Sequence, residues 1–149
     1  RLYLLATGTG LAPFLSVIRD PETYERYEQV VLIHGVRQVK ELAYREYLSE
    51  TLAHDEFLGE MVQQKLLYYP TVTREPFVHQ GRIPQLLAEG QVAKDLGIPM
   101  LNPVEDRIMI CGSPEMLRDL KALAEKLGFE EGNTSRPGAF VIERAFAGT

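Results

Sequence analysis

Short apolar runs alternate with segments of helical periodicity along the 149-residue chain. Runs that are apolar without polar alternation are typical of strands covered on both faces, and strands separated by helices join by right-handed crossovers into a parallel sheet. The sequence therefore predicts an α/β domain of three layers around a five-stranded parallel sheet. The predicted strands occupy residues 2–6, 29–35, 65–73, 107–112 and 139–144, and the predicted helices occupy residues 13–19, 39–52, 83–96 with a break, and 114–127.

The balance of residue types narrows the classes of function. A hydrophobic content of 45% is enough for one core, so residues 1–149 are predicted to form a single domain. The net charge of −5, without clusters of Lys and Arg, argues against nucleic acid or a membrane surface as a partner. One cysteine excludes an internal disulfide, and the three histidines share no metal-ligand spacing. We therefore expect a cytoplasmic protein that holds no metal.

The segment LLATGTGLAPF places two glycines and a proline between the first strand and the first helix. Ligands of parallel α/β sheets bind beyond the carboxyl ends of the strands, where Gly8 and Gly10 would let a ligand approach the backbone. Pro13 suits the first turn of a helix, whose N–H groups can face a phosphate. The pattern G-x-G-x-x-P differs from the dinucleotide pattern G-x-G-x-x-G, so a plain tight turn stays an alternative to a phosphate-binding turn.

Arginines follow the second and third predicted strands. Arg37 stands where NAD-binding folds carry an acidic residue for the ribose, which favours a ligand with a 2′-phosphate. Arg74 and Arg82 follow the third strand at the same edge. Each could be an ordinary solvated charge, but their shared edge predicts a phosphate clamp, because the guanidinium fork makes bidentate bonds to phosphate oxygens.

The fourth predicted strand ends in ICGSPEM. Ser113 is predicted to cap the following helix, and Gly112 permits the close approach of a flat ring. Cys111 lies either at the binding edge or in the core as a small apolar residue. With no histidine close in sequence, it is not predicted to be a nucleophile.

Six motifs in this order, GTGLAPF, HGVR, TREP, QGRIP, CGSPEM and FVIERAF, resemble the NADP-binding domain of bacterial ferredoxin (flavodoxin)–NADP reductases over residues 2–146. The resemblance implies the strand order 3-2-1-4-5 and a monomeric two-domain flavoenzyme. In it, hydride transfer between NADP(H) and FAD accompanies one-electron transfer to or from ferredoxin or flavodoxin. The chain begins within an apolar run, which agrees with a fragment that lacks the N-terminal FAD-binding barrel. We expect this fragment alone to bind no flavin tightly and to be inactive.

The resemblance also implies site residues. Those matching the family's loop beside the pyrophosphate and nicotinamide are Gly8, Thr9, Gly10, Ala12 and Pro13, with Gly112 also at the nucleotide. Those on its 2′-phosphate positions are Arg37, Arg74 and Arg82. Those matching its hydride-transfer centre and flavin contacts are Cys111 by the nicotinamide, the carboxylate Glu143, Ala145 on the isoalloxazine and Phe146 on the FAD adenine.

Two other functions fit the same scaffold. One is an NADH-dependent oxygenase reductase component, against which the arginines argue. The other is a non-enzymatic module that senses a nucleotide. A reductase would need the missing flavin domain for activity, whereas a sensor would respond to nucleotide alone.

Overall fold

The domain is built on a parallel β-sheet, seen in a computed structural model that describes residues 1–132 and 140–142. Its strands are β1 (Leu2–Thr7), β2 (Val30–Val36), β3 (Leu66–Val72), β4 (Arg107–Cys111) and the three-residue β5 (Phe140–Ile142). The four longer strands lie in the order β3-β2-β1-β4, and β5 pairs with β4 at the edge. The α/β class and the parallel sheet are confirmed. Of the last predicted strand, residues 139–144, the structure describes residues 140–142, which form β5.

Six α-helices cover the two faces of the sheet within the described residues. They are α1 (Ala12–Ile18), α2 (Pro21–Arg26), α3 (Gly59–Lys65), α4 (Ile83–Ala88), α5 (Gln91–Leu96) and α6 (Pro114–Lys126). Helices α1, α2 and α3 contribute to one apolar cluster, and α4, α5 and α6 contribute to another. The domain therefore has the three layers that the sequence predicts.

Alternate residues of the central strands supply the two clusters. In β1, Leu4 packs toward α1 while Leu5 packs toward α6, and each is at most 2% exposed. In β2, Leu32 and Ile33 divide in the same way and are fully buried. Burial of both faces explains why these strands are apolar throughout rather than alternating.

The region between β2 and β3 differs from the sequence prediction. The helix predicted over residues 39–52 is wrong: the structure has a short 3₁₀ turn at Val39–Glu41, a π-helical turn at Tyr47–Thr51, and Tyr44 between them at φ 62°. Leu42 is buried against Val36 and Val72, so its packing competes with a continuous helix. Helices α2 and α3 were not predicted, although Asp20 caps α2 by accepting a hydrogen bond from the Glu22 N–H at 2.9 Å.

Two helix boundaries follow their sequence signals. The predicted break within residues 83–96 lies at Gly90, whose φ of 77° ends α4 and begins α5. Ser113 caps α6 as predicted, because its hydroxyl accepts a hydrogen bond from the Met116 N–H at 3.3 Å.

Within the described part of the chain, no helix combines the length and apolar character needed to cross a membrane.

Candidate functional site

A cleft of about 790 Å³ opens at the carboxyl ends of the strands. Its size is within the range of small-molecule sites, and its position is the one at which parallel α/β sheets bind ligands. It is walled by the turn after β1, the loops after β2 and β3, and the start of α6. Its lining residues are Thr7, Gly8, Thr9, Gly10, Gly35, Val36, Arg37, Glu41, Thr73, Arg74, Gly81, Arg82, Ile83, Gln85, Gly112, Ser113, Glu115 and Met116.

The glycine turn packs directly on the end of β4. Gly8 begins a 3₁₀ turn, Gly8–Leu11, at φ 52°, a backbone conformation that side chains disfavour. A Cβ added to Gly10 would lie 2.7 Å from the carbonyl carbon of Cys111 and 2.9 Å from the Cα of Gly112. Only glycine therefore fits at position 10 without moving the backbone of one segment.

The hydroxyl of Thr7 joins the same two segments. Its Oγ1 accepts a hydrogen bond from the Ser113 N–H at 3.1 Å, and a Cβ on Gly112 would overlap this oxygen. Thr7 is also the N-cap residue of the Gly8–Leu11 turn, but its side chain makes no capping hydrogen bond to that turn. Uncapped N–H groups at the start of a helical turn attract anions, so the turn is suited to a phosphate.

A buried histidine supports the glycine turn from below. His34 is fully buried, and its Nε2 donates to the carbonyl oxygen of Gly8 at 2.8 Å, since a carbonyl can only accept. The other ring nitrogen, Nδ1, has no hydrogen-bond partner in the described part of the chain. Burial lowers the pKa of His34 below its usual 6.5, although the hydrogen bond to Gly8 acts in the opposite direction. The turn is therefore held by a neutral imidazole.

Burial of neutral His34 predicts a loss of stability in mild acid. Below pH 6.5 the imidazole of His34 is protonated in the unfolded chain but stays neutral in the folded chain. The free energy of unfolding therefore decreases as the pH is lowered, until the pH reaches the lower pKa of the folded state. The slope from this residue should approach about 1.4 kcal/mol per pH unit. The free energy of unfolding in urea, measured at roughly each pH unit from pH 8 to pH 5, should show this dependence for the wild-type protein. The dependence should be absent from His34→Gln, because an amide side chain does not titrate.

His54→Gln provides the matched control, since His54 is exposed. This variant should keep the wild-type dependence on pH. Parallel unfolding profiles for wild type and His34→Gln would contradict a neutral, buried His34.

Arg37 and Arg74 are held side by side on one wall of the cleft. The pairing of β2 and β3 continues past the strand ends, because the Arg74 N–H donates to the Arg37 carbonyl at 2.9 Å. Glu75 also binds the next turn by accepting a hydrogen bond from the Val39 N–H. Neither arginine forms an ion pair with a carboxylate of residues 1–132, whose side chains are described. The backbones of the two arginines are thus held together, and both residues line the cleft without a carboxylate partner among residues 1–132.

Arg82 lines the same cleft, but its guanidinium group already forms an ion pair within the domain. Its Nη2 is 2.8 Å from Oδ2 of Asp119 and 3.7 Å from Oε1 of Glu115, and both carboxylates belong to α6. The side chains of Arg82 and Asp119 are 47% and 41% exposed. Solvent screens such a pair, so a ligand anion can compete for the guanidinium.

The structure brings together most of the predicted site residues. Those lining the cleft are Gly8, Thr9, Gly10, Arg37, Arg74, Arg82 and Gly112. Ala12 and Pro13 follow this turn in α1 but are not among the lining residues. Cys111 is 3% exposed and packs in the cluster beneath α1, with its backbone against Gly10. Glu143, Ala145 and Phe146 are outside the described residues, so the flavin-facing part of the prediction is untested.

Several cleft residues were not predicted as site residues. Glu41, Gln85, Glu115 and Met116 line the cleft because the loops and helices that carry them converge at the sheet edge. Ser113 also lines the cleft, and the sequence predicted it only as the cap of α6. Residues 1–132 and 140–142 contain no group of three acidic, cysteine or histidine side chains placed to hold a metal ion.

The parallel sheet, the uncapped Gly8–Leu11 turn and the adjacent arginines Arg37 and Arg74 define a nucleotide-binding domain of the α/β class. Comparison with protein families extends this assignment. Residues 4–122 match the model of the oxidoreductase NAD-binding domain family, and the chain belongs to that family.

Curated relatives are ferredoxin–NADP reductases. The chain is 60% identical to ferredoxin–NADP reductase A of Sorangium cellulosum over 147 residues, which is 99% of this chain and 53% of the relative. It is 54% identical to the ferredoxin–NADP reductase of Pseudomonas aeruginosa, over 97% of this chain and 57% of that protein. The chain thus spans about half the length of these relatives, and its resemblance to bacterial ferredoxin–NADP reductases is confirmed.

A solved structure shows the same fold. It is a ferredoxin NADP⁺ reductase from Neisseria gonorrhoeae with bound FAD and NADP, which is 32% identical and superimposes with a TM-score of 0.81. The match covers 95% of this chain and 55% of that one.

Proposed function

We propose that this domain binds NADP(H) in the cleft and forms the pyridine-nucleotide half of a flavin-dependent ferredoxin or flavodoxin–NADP reductase. The observation that carries the proposal is the placement of Arg37 and Arg74 side by side in the wall of a cleft that also contains the uncapped Gly8–Leu11 turn. Two phosphate-binding features in one cleft match a dinucleotide with a pyrophosphate and a further phosphate.

The residues of the cleft divide between two parts of the nucleotide. The Gly8–Leu11 turn offers its backbone N–H groups to the pyrophosphate, and Gly10 lets this turn lie against β4. Arg37 and Arg74 would hold the adenosine 2′-phosphate through charge-assisted hydrogen bonds, with Arg82 as a third donor. His34 keeps the turn in place through the Gly8 carbonyl.

The remaining proposed residues concern the reacting end. Gly112 and the buried Cys111 at the end of β4 are compact, and we propose that they support the approach of the nicotinamide ring. Glu143, Ala145 and Phe146 are proposed to lie near the flavin. The bound cofactors would supply the redox chemistry, exchanging a hydride with each other and single electrons with ferredoxin or flavodoxin. The protein supplies orientation and charge.

Nucleotide titration tests this function. Isothermal titration of the purified chain should show NADP⁺ binding more tightly than NAD⁺, because only NADP⁺ carries the 2′-phosphate. Incubation with FAD followed by gel filtration should leave the chain colourless, since most flavin contacts are proposed to lie in a separate barrel domain. Equal affinity for the two nucleotides would instead favour an NADH-dependent oxygenase reductase component, and retained FAD would contradict the proposed division between domains.

A further inference from the structure

The Arg82–Asp119 ion pair connects two walls of the cleft. Arg82 immediately precedes α4, whereas Asp119 lies in α6, and Arg82 Nη2 is 2.8 Å from Asp119 Oδ2. Glu115 lies one helical turn before Asp119, lines the cleft, and places its Oε1 3.7 Å from the same nitrogen. Arg82 therefore faces two carboxylates of α6.

The three cleft arginines differ in their internal partners. Arg37 and Arg74 form no ion pair with the described carboxylates, while Arg82 has one direct partner and a second nearby. A phosphate entering the cleft meets two guanidinium groups that are available and a third whose charge is offset. The contribution of Arg82 to phosphate binding thus depends on whether its guanidinium group stays paired with Asp119.

We propose that Asp119 is a specificity-determining residue that competes with the 2′-phosphate of the ligand for Arg82, an inference that rests on the proposed NADP(H)-binding function. A carboxylate and a phosphate accept the same N–H donors, so the Asp119 carboxylate takes the place of the phosphate when no nucleotide is bound. The ligand must then exchange one anion for another rather than fill an empty donor site.

The exposure of the pair sets the size of the effect. Both side chains are close to half exposed, and exposed ion pairs contribute little because water screens them. Removing the competing carboxylate should therefore strengthen NADP⁺ binding by about two- to fivefold. NAD⁺ has no 2′-phosphate for Arg82 to hold, so its affinity should stay unchanged. Asp119 therefore lowers the preference for NADP⁺ over NAD⁺ and eases release of the phosphorylated nucleotide.

The test is a double-mutant cycle measured by isothermal titration with NADP⁺ and NAD⁺. The proteins are the purified chain and its variants Asp119→Asn, Arg82→Ala and the combination of both. Asparagine keeps the shape of aspartate without its charge. Asp119→Asn should bind NADP⁺ more tightly, Arg82→Ala should bind it less tightly, and in the Arg82→Ala background the effect of Asp119→Asn should disappear.

Glu125→Gln controls for the general loss of negative charge. Glu125 lies on the same helix, where its Oε1 is 4.0 Å from Nζ of Lys121, and it does not line the cleft. This variant should bind both nucleotides as wild type does. Equal strengthening by Glu125→Gln would show that overall charge, not competition for Arg82, causes the effect.

The outcomes separate this inference from the proposed function. Wild-type protein that shows no preference for NADP⁺ would overturn the proposed function and this inference together. Wild-type protein that prefers NADP⁺, but whose affinity Asp119→Asn leaves unchanged or lowers, would overturn this inference alone. Strengthening by Asp119→Asn that persists without Arg82 would also overturn it.

Discussion

Replacing Arg37 or Arg74 by alanine is expected to weaken NADP⁺ binding roughly 10- to 150-fold, with little change in NAD⁺ binding. The two residues are adjacent, because the Arg74 N–H donates to the Arg37 carbonyl, and neither has a carboxylate partner in residues 1–132. Each guanidinium can therefore give charge-assisted hydrogen bonds of about 1.5 to 3 kcal/mol to a 2′-phosphate. Isothermal titration of each variant with both nucleotides measures the effect.

Salt and a distant arginine provide the controls. The advantage of wild type over Arg37→Ala should shrink as salt is added, because ions screen the attraction between exposed charges. Arg26→Ala removes the same charge at the end of α2, just before β2 begins, and so from the opposite edge of the sheet. It should bind NADP⁺ as wild type does. Equal weakening of NADP⁺ and NAD⁺ in the Arg37 and Arg74 variants would mean general damage to the fold.

Local sequence signals were sufficient to predict the strands of the sheet and the glycine turn that lines the cleft, whereas the order of the strands came from the family resemblance. The continuous hydrophobicity of β1 and β2 reflects burial on both faces, which is a property of each strand by itself. Gly8 and Gly10 predict a turn, because their positions between a strand and a helix can be recognised in the sequence without knowing which residues pack beside them. The direct contact of Gly10 with the backbone of Cys111 could not be predicted from these local signals, because Cys111 belongs to the distant strand β4.

The interactions that could not be predicted join residues far apart in the chain. His34 contacts Gly8 across 26 positions, and Arg82 contacts Asp119 across 37. Each pairing exists only after the elements have packed, so the sequence could place Arg82 at the binding edge but could not assign its partner. The failed helix at residues 39–52 has the same cause, because burial of Leu42 against β2 and β3 overrides its local pattern.

Replacing Gly10 by alanine is expected to weaken the binding of NAD⁺ and NADP⁺ by the same factor, in contrast to the arginine variants. The added Cβ would lie within 3 Å of backbone atoms of Cys111 and Gly112, so the glycine turn must move away from β4. Overpacking of this kind costs about 1–3 kcal/mol of the free energy of unfolding. Displacing an N–H group from the pyrophosphate should cost about 10- to 150-fold in affinity, because charge-assisted hydrogen bonds are lost. Urea unfolding and titration with both nucleotides measure the two effects.

Gly97→Ala separates lost stability from lost binding. Gly97 follows α5, is not among the residues that line the cleft, and has φ 66° with nothing within 4 Å of an added Cβ. Alanine there meets only the left-handed backbone penalty, about 1 kcal/mol or more, which is comparable to the overpacking at Gly10. This variant should lose stability and keep its nucleotide affinity. If Gly10→Ala instead bound NAD⁺ normally while NADP⁺ weakened, the turn would not contact the pyrophosphate that both nucleotides share, and the proposed orientation of the nucleotide would be wrong.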